Sequence, residues 1–425
     1  MISMKLNEVL LSAAINFAAF LFFSLSLAVP SGYSYGAVFL TLLAVVCIFS
    51  SPSIKSLAVE TKILLVSLIA TGLMWSVSFG VSWSHTGFAY GVKYALAACC
   101  LWVLSRKNYI SPQAVVWGVA TGAVGALGVA VYQYMALHLD KASGFTNAIQ
   151  FGGIAMYMGM ATWGVALLGG WRRNQILILG LCGSCGVLAS LLSESRGGWV
   201  VAPMLFVAIL AMAWHYCNKR VASLAMLGML IGGVMLVLPA YKKFEQRAAL
   251  AVHEAQMYSA EPQKYAETSI GQRLEQWRLA LRLIEERPFT GWGVEGYAHA
   301  KQAMVDKGAA HPSVMEYGHA HNEILDMWVK RGLAGLIILL FFYAAPLYVF
   351  WPTHARLARV TEELRPRLLA LRAAAALLPL AYFGFGWTQV FFAHNSGHMF
   401  YIFSLVIFGA AVRSMEMATA KTSGN

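Results

Sequence analysis

GWVVAPMLFVAILAMAWHYC, NKR, VASLAMLGMLIGGVMLVLPA and YKKFEQR follow one another from Gly198 to Arg247. Two apolar runs, each close to the ~20 residues that cross a bilayer as a helix, flank a short turn carrying Lys219 and Arg220. The second run then gives way to polar, charged sequence that lasts until Arg331. Between Ala240 and Ala320 the chain places ten Lys/Arg and ten Asp/Glu. That density marks either its chemistry or its docking surface.

The whole composition agrees with a membrane setting. The chain has 425 residues, of which 59% are hydrophobic and 12% charged, against roughly 25% charged in an ordinary soluble domain. Barrel strands would show ~10-residue alternating segments, whereas the apolar stretches here are long and continuous, so the fold class is an all-α integral membrane protein. Twelve candidate spans are read at residues 9–29, 35–50, 61–80, 87–104, 112–136, 148–169, 175–193, 198–216, 221–239, 332–351, 367–386 and 397–414. The second is short and reads as tilted or re-entrant. The chain thus divides into residues 1–239 with spans one to nine, a large loop at 240–331, and residues 332–425 with the last three spans. The first apolar run lacks a small-residue cleavage site and reads as an uncleaved helix.

Short cytoplasmic loops retain Lys and Arg. With the N-terminus inside, the inside segments carry fifteen: Lys5, Lys55, Lys62, Arg106, Lys107, Arg172, Arg173, Lys219, Arg220, Arg356, Arg359, Arg365, Arg367, Arg413 and Lys421. The short outside loops carry Lys141 and Arg196 alone. Both termini are therefore expected in the cytoplasm, and the large loop, Arg196 and the stretch Phe391–His398 on the outer face. Topology explains much of the net charge of +12, so nucleic acid is not the expected partner. The basic residues left outside call for lipid headgroups, phosphates or acidic sugars. All six cysteines fall in or at the ends of spans, and Cys182-x-x-Cys185 lies in an apolar helix, so no disulfide framework is implied.

Within the loop, Tyr241–Tyr265 is a helix-forming mixture broken by Pro262 and resembles an interfacial helix. The next segment is sharper. At ~100° per residue Ile270, Leu274, Trp277, Leu281 and Ile284 share one face, with Arg273 and Arg278 on its edges. Thr268 or Ser269 caps it and Pro288 ends it. Such a helix lies with its apolar stripe on the bilayer and its arginines at headgroup depth, where a lipid diphosphate would be. The plainer reading is that Arg273, Arg278, Arg282 and Arg287 only anchor a surface helix. Phe289–Tyr297 holds three glycines whose spacing matches no phosphate-binding pattern and suits a turn. Asn322–Val329 reads as a helix, which puts His319 and His321 near an N-terminus, a place that favours anions.

Arg196 stands in the very short connection Ser193-Glu194-Ser195-Arg196-Gly197-Gly198-Trp199. An ionisable residue there needs a partner, either Glu194 or a ligand. Lys93 in the fourth span is a second candidate for an anionic headgroup, and Arg372 near the cytoplasmic end of the eleventh can snorkel. The outer histidines His299, His311, His319, His321, His394 and His398 lack the acidic and cysteine company of a zinc motif, and no DxD-type pair stands in the outer loops for Mg²⁺ or Mn²⁺. No metal and no cofactor are expected. A histidine suits general-base work on a hydroxyl and arginines suit a diphosphate. Together they fit group transfer from a lipid diphosphate, with His321 as first choice for the base.

Three stretches carry a family resemblance: SESRGGW (Ser193–Trp199), GQRLEQWRLALRLIEERPFTGWGVEGY (Gly271–Tyr297) and HAHNEILDMWVKRGLAGL (His319–Leu336). With the plan of about twelve helices and one large late loop, the chain resembles the O-antigen ligase and polymerase superfamily of bacterial envelope enzymes, which includes protein O-oligosaccharyltransferases. The resemblance implies a glycan on undecaprenyl diphosphate as donor and, for a ligase, a sugar hydroxyl of lipid A-core as acceptor. It further implies inversion at the anomeric centre without metal or nucleotide, at the periplasmic face of the bacterial inner membrane.

By motif, the functional arginines fall on Arg196 and Arg273 and the functional histidine on His321. Arg278, His319, Asn322 and Lys93 are carried as substrate-binding candidates. His319, two residues earlier, competes with His321 for the catalytic role. The short connection at His138–Asn147 leaves one dominant outer loop, which favours ligase over polymerase. A reading from another class is transport of an anionic glycolipid, against which stands the lack of a clear internal repeat. Oligomeric state is not legible.

Overall fold

A computed structural model describes residues 2–50, 57–76, 85–238 and 241–422. Lys55, residues 77–80 at the expected end of the third span, and Ala240 at the start of the large loop lie outside the described residues. Each of the twelve expected spans is a helix: α1 (Ile2–Leu25), α2 (Gly32–Ser50), α3 (Val59–Ser76), α4 (His85–Leu104), α5 (Pro112–Met135), α6 (Ala148–Leu168), α7 (Arg173–Leu192), α8 (Arg196–Tyr216), α9 (Lys219–Val237), α14 (Glu323–Phe350), α16 (Arg365–Phe385) and α17 (Asn395–Thr422). Among the described residues ten of these are long and apolar enough to cross a membrane. In α4 the apolar stretch is the shorter Phe88–Leu104. The second expected span is a full 19-residue helix.

Helices α6, α16 and α17 form the centre of the bundle, their spans almost wholly buried by the others. Lipid tails are as apolar as leucine, so close packing rather than hydrophobic contrast holds such helices together. Gly159 of α6 shows how: a Cβ there would run into Gly183 O and Val187 N of α7. Away from the large loop, Glu416 of α17 gathers Arg372 (2.7 Å), Arg359 (3.3 Å) and Arg413 (3.3 Å), and Arg359 also reaches Glu60 of α3 (2.7 Å). This corrects the expectation for Arg372. Its side chain is buried and also donates to Val349 O (2.9 Å), because a carboxylate inside the bundle satisfies it without a detour to water.

Between α9 and α14 the chain builds a separate lobe from α10 (Tyr241–Ala260), α11 (Pro262–Tyr265), α12 (Ser269–Glu286), α13 (Val294–Asp306) and a 3-10 turn at Pro312–Met315; α15 (His354–Leu357) is a short helix between α14 and α16. The lobe has its own core, including Leu279, Leu283, Tyr297, Met304, Val314 and Val329. Thr268 caps α12, accepting from Gly271 N at 3.1 Å. The face of α12 buried in the lobe lies mostly apart from the stripe expected on the bilayer. It runs through Glu275, Gln276, Leu279, Ala280, Leu283 and Ile284, while Leu281 is 49% exposed. Glu275 is the charged residue on that face. It is inside because Arg278 (2.6 and 2.9 Å), Tyr258 and His311 N (3.0 Å) all donate to its carboxylate.

Helix α14 is broken at Gly332, whose φ of 64° and ψ of −166° are open to glycine and to little else. The break is filled by the glycine-rich stretch. Trp292 N and Gly293 N donate to Val329 O (2.9 Å) and Lys330 O (2.8 Å), and Leu333 N donates to Pro288 O (2.9 Å). The stretch is thus a turn that seals a helix break. It couples the lobe to the span below it.

Candidate active site

Three connections meet at the lobe end of the bundle: the α7–α8 hairpin, the segment Tyr317–Glu323 ahead of α14, and the α16–α17 connection. Glu323 N donates to Gly386 O (2.7 Å), and Phe392 N donates to the Glu323 carboxylate (3.1 Å). Asn322 caps α14, accepting from Ile324 N (3.0 Å) and Leu325 N (3.1 Å), and its amide donates to Trp387 O (3.3 Å). Its side chain is spent on that cap. Asp326 accepts Ala320 N (3.0 Å) and pairs with Lys330 (2.8 Å), whose ammonium also donates to Gly318 O (2.9 Å). Lys301 holds the same segment from the other side, through Val314 O (2.7 Å) and Tyr317 O (2.5 Å).

This scaffold holds His321 at φ 50°, a left-handed conformation uncommon for a non-glycine residue. Its Nδ1 lies 3.0 Å from Gln389 Oε1, and its Nε2 is buried without a hydrogen-bond partner among the described residues. Tyr317 and His319 stand edge-on to its ring, each with centroids 4.4 Å away. Burial lowers the His321 pKa from 6.5 to about 4, and the Arg273 charge adds to the effect. His319 is pushed further, to about 3, again chiefly by burial. Both rings are neutral at pH 7.

Arg273 of α12 and Arg196, the first residue of α8, complete the group. Burial lowers the Arg273 pKa, and the positive charge of Arg196 lowers it again, so the two guanidinium groups share one neighbourhood. Glu254 and Tyr317 offset part of that repulsion. Among the described residues neither arginine makes a hydrogen bond or ion pair, and Arg196 Nη1 is buried without a partner. Glu194, one of the two partners the sequence offers Arg196, is bonded by Arg247 of α10. Two unpaired guanidinium groups beside a neutral imidazole make a site for an anion with several oxygens.

One turn of α8 beyond Arg196, an apolar groove of about 740 Å³ opens between α6, α7, α8 and α9. Met160, Leu191, Trp199, Phe206, Val234 and Tyr241 are among its lining.

The other expected residues fall elsewhere. The guanidinium of Arg278 is engaged with Glu275 and with Ala309 O (3.0 Å). Lys93 donates to Asn395 Oδ1 (2.6 Å) and sits 4.6 Å over the Tyr90 ring. It stands on the side of His394, whose ring is 6.1 Å from that of His319. His394 precedes α17 and His398 lies within it, where it is buried and bonded to Tyr94 OH (3.0 Å). Gln389 was not legible from the sequence. It stands two residues before the outer stretch that begins at Phe391, and a lone glutamine carries no motif.

Residues 181–340, a stretch that includes Arg196, Arg273 and His321, match the family model described as O-antigen ligase. The match supports membership of the O-antigen ligase superfamily. The chain is 25% identical over 408 residues to an uncharacterised Haemophilus influenzae protein, covering 95% of this chain and 99% of that one. It is also 25% identical over 196 residues to the O-antigen ligase of Escherichia coli K12, covering 45% of each chain. The likeness to that ligase thus spans less than half of either chain. Lys93 and Gln389 lie outside the stretch that carries the family match.

Proposed function

We propose that the chain is a membrane glycosyltransferase of the O-antigen ligase type. In this reading it moves a preassembled glycan from undecaprenyl diphosphate to a sugar hydroxyl of lipid A-core, at the periplasmic face of the inner membrane. The observation that carries the proposal is the meeting of two unpaired guanidinium groups and one neutral imidazole beside an apolar groove, inside the stretch matched by the family. The groove suits a polyprenyl tail, and Arg196 and Arg273 suit the diphosphate at its head.

His321 Nε2 takes the proton of the acceptor hydroxyl while that oxygen attacks the anomeric carbon. The bond from that carbon to the diphosphate breaks on the opposite side, and the electron pair leaves with the phosphate oxygen. Attack from the face opposite the leaving group inverts the centre. The arginines stabilise the charge that gathers on the leaving diphosphate. In this reading Arg278 and Asn322 hold the scaffold and His319 walls the base.

Purified protein supplied with lipid-linked glycan and lipid A-core tests the reading. A new glycoconjugate formed without ATP or membrane potential is the expected product. Longer lipid-linked glycan from donor alone would assign polymerase activity instead. Donor crossing a vesicle membrane with no bond made would assign transport.

A further inference from the structure

Gln389 is 4% exposed and lies in the turn after α16. That turn receives three consecutive residues of the opposing segment: His321 through Gln389, Asn322 through Trp387 O, and Glu323 through Gly386 O. The oxygen and nitrogen of a glutamine amide look alike by shape, but here a second bond separates them. The atom of Gln389 that faces His321 Nδ1 at 3.0 Å also accepts Val390 N–H at 3.1 Å. A backbone N–H needs an acceptor, so that atom is the oxygen. The ring nitrogen facing it must then carry hydrogen. In a neutral imidazole the other nitrogen holds the lone pair, and that nitrogen is the one buried without a partner among the described residues.

We propose that Gln389 is the positioning residue of the transfer reaction: it holds His321 as the Nδ1–H tautomer, so that Nε2 is the atom that receives the acceptor's proton. The proposal rests on the functional reading above. A neutral amide orients the ring as a carboxylate would but gives the imidazolium no counter-charge, so the base returns to its neutral form readily. Arg273 of α12 and His394 of the α16–α17 connection disfavour a charge on the ring and Asp326 of α14 favours it, while Tyr317 and His319 stand edge-on to it.

The test uses the full chain in lipid nanodiscs, with Gln389→Leu and Gln389→Glu. In folded Gln389→Leu, judged by an unchanged melting temperature, kcat falls roughly tenfold or more, a part of the ~10²–10⁴ that acid–base catalysis contributes, while donor KM stays within about twofold. Gln389→Glu keeps activity and moves the acid limb of kcat/KM upward by about one pH unit, since a neighbouring carboxylate favours imidazolium. A merely structural glutamine would move melting and leave that limb in place. Wild-type kcat in Gln389→Leu, or an unmoved limb in Gln389→Glu, overturns the proposal. If Gln389→Leu does not fold, the limb of Gln389→Glu decides.

A readout free of catalysis separates the two readings. In ¹⁵N-histidine spectra the His321 signal, identified by its loss in His321→Ala, shows Nδ1–H in the wild type. An Nε2–H signal overturns the tautomer assignment whatever the activity. Nδ1–H in a protein that makes no glycoconjugate overturns the functional reading and not the tautomer.

Discussion

Arg247 of α10 bonds the carboxylate of Glu194, two residues ahead of Arg196 on the hairpin that carries it. The pair ties the lobe to the membrane bundle and removes the one acidic residue next to Arg196 in sequence. Helix α10 also reaches α12, since Glu254 accepts Ile270 N (3.0 Å). One helix therefore sets the distance between Arg196 and Arg273. Arg247→Ala and Glu194→Gln are each expected to raise donor KM several-fold, with a coupling of roughly 1 kcal/mol in the double-mutant cycle. Strict additivity of the two changes in donor KM would show that the tether does not set the site.

Arg273→Lys keeps a charge and loses the planar fork. A diphosphate is held by several oxygens at once, so the lysine variant is expected to lose on the order of 10²-fold in kcat/KM, near the loss from Arg273→Ala and within the range for removing an oxyanion donor. Steady-state transfer with purified donor and acceptor measures it. Near-wild-type activity in the lysine variant would reduce Arg273 to a point charge.

Low pH is expected to loosen the protein before it unfolds the membrane helices. The unfolded chain binds protons at histidine from about pH 6.5 downward, whereas in the fold His321 resists until about 4 and His319 until about 3. Protons in that window bind the unfolded state preferentially, so stability is full above about 6.5 and falls as pH drops toward 4. Melting temperature against pH should show the slope, and His319→Phe should flatten it. A flat wild-type profile from pH 7 to 4 would contradict burial of these rings.

At the far end of the bundle, Glu416→Gln leaves Arg372 buried with its principal counter-charge gone. Breaking such a pair typically costs about 3–5 kcal/mol, so a large drop in melting temperature is expected, with donor KM unchanged in the protein that remains folded. A double replacement of Arg372 and Glu416 by apolar residues of similar volume should recover much of the loss.

Apolar runs of bilayer length, interrupted once by a charged excursion, determined from sequence alone that this is a helical membrane protein with a lobe between α9 and α14. Hydrophobic periodicity is a local property, and it survives any tertiary arrangement. Arg196, Arg273 and His321 were also legible as types suited to a lipid diphosphate, though not as neighbours, because residues 196, 273 and 321 lie on separate elements whose meeting depends on how the lobe folds back. The face of α12 buried in the lobe was not legible, because a buried Glu275 satisfied by Arg278, Tyr258 and His311 N looks the same in sequence as a solvated one.

Tertiary structure alone decided which charges are paired. It gave Glu194 to Arg247 and Glu275 to Arg278, turned Arg372 inward to Glu416, and left Arg196 and Arg273 unpartnered among the described residues. It alone set Gln389 against His321. A charge or a ring nitrogen becomes chemically available only when its neighbours are otherwise engaged, and that is fixed by distances across the fold rather than by spacing along the chain.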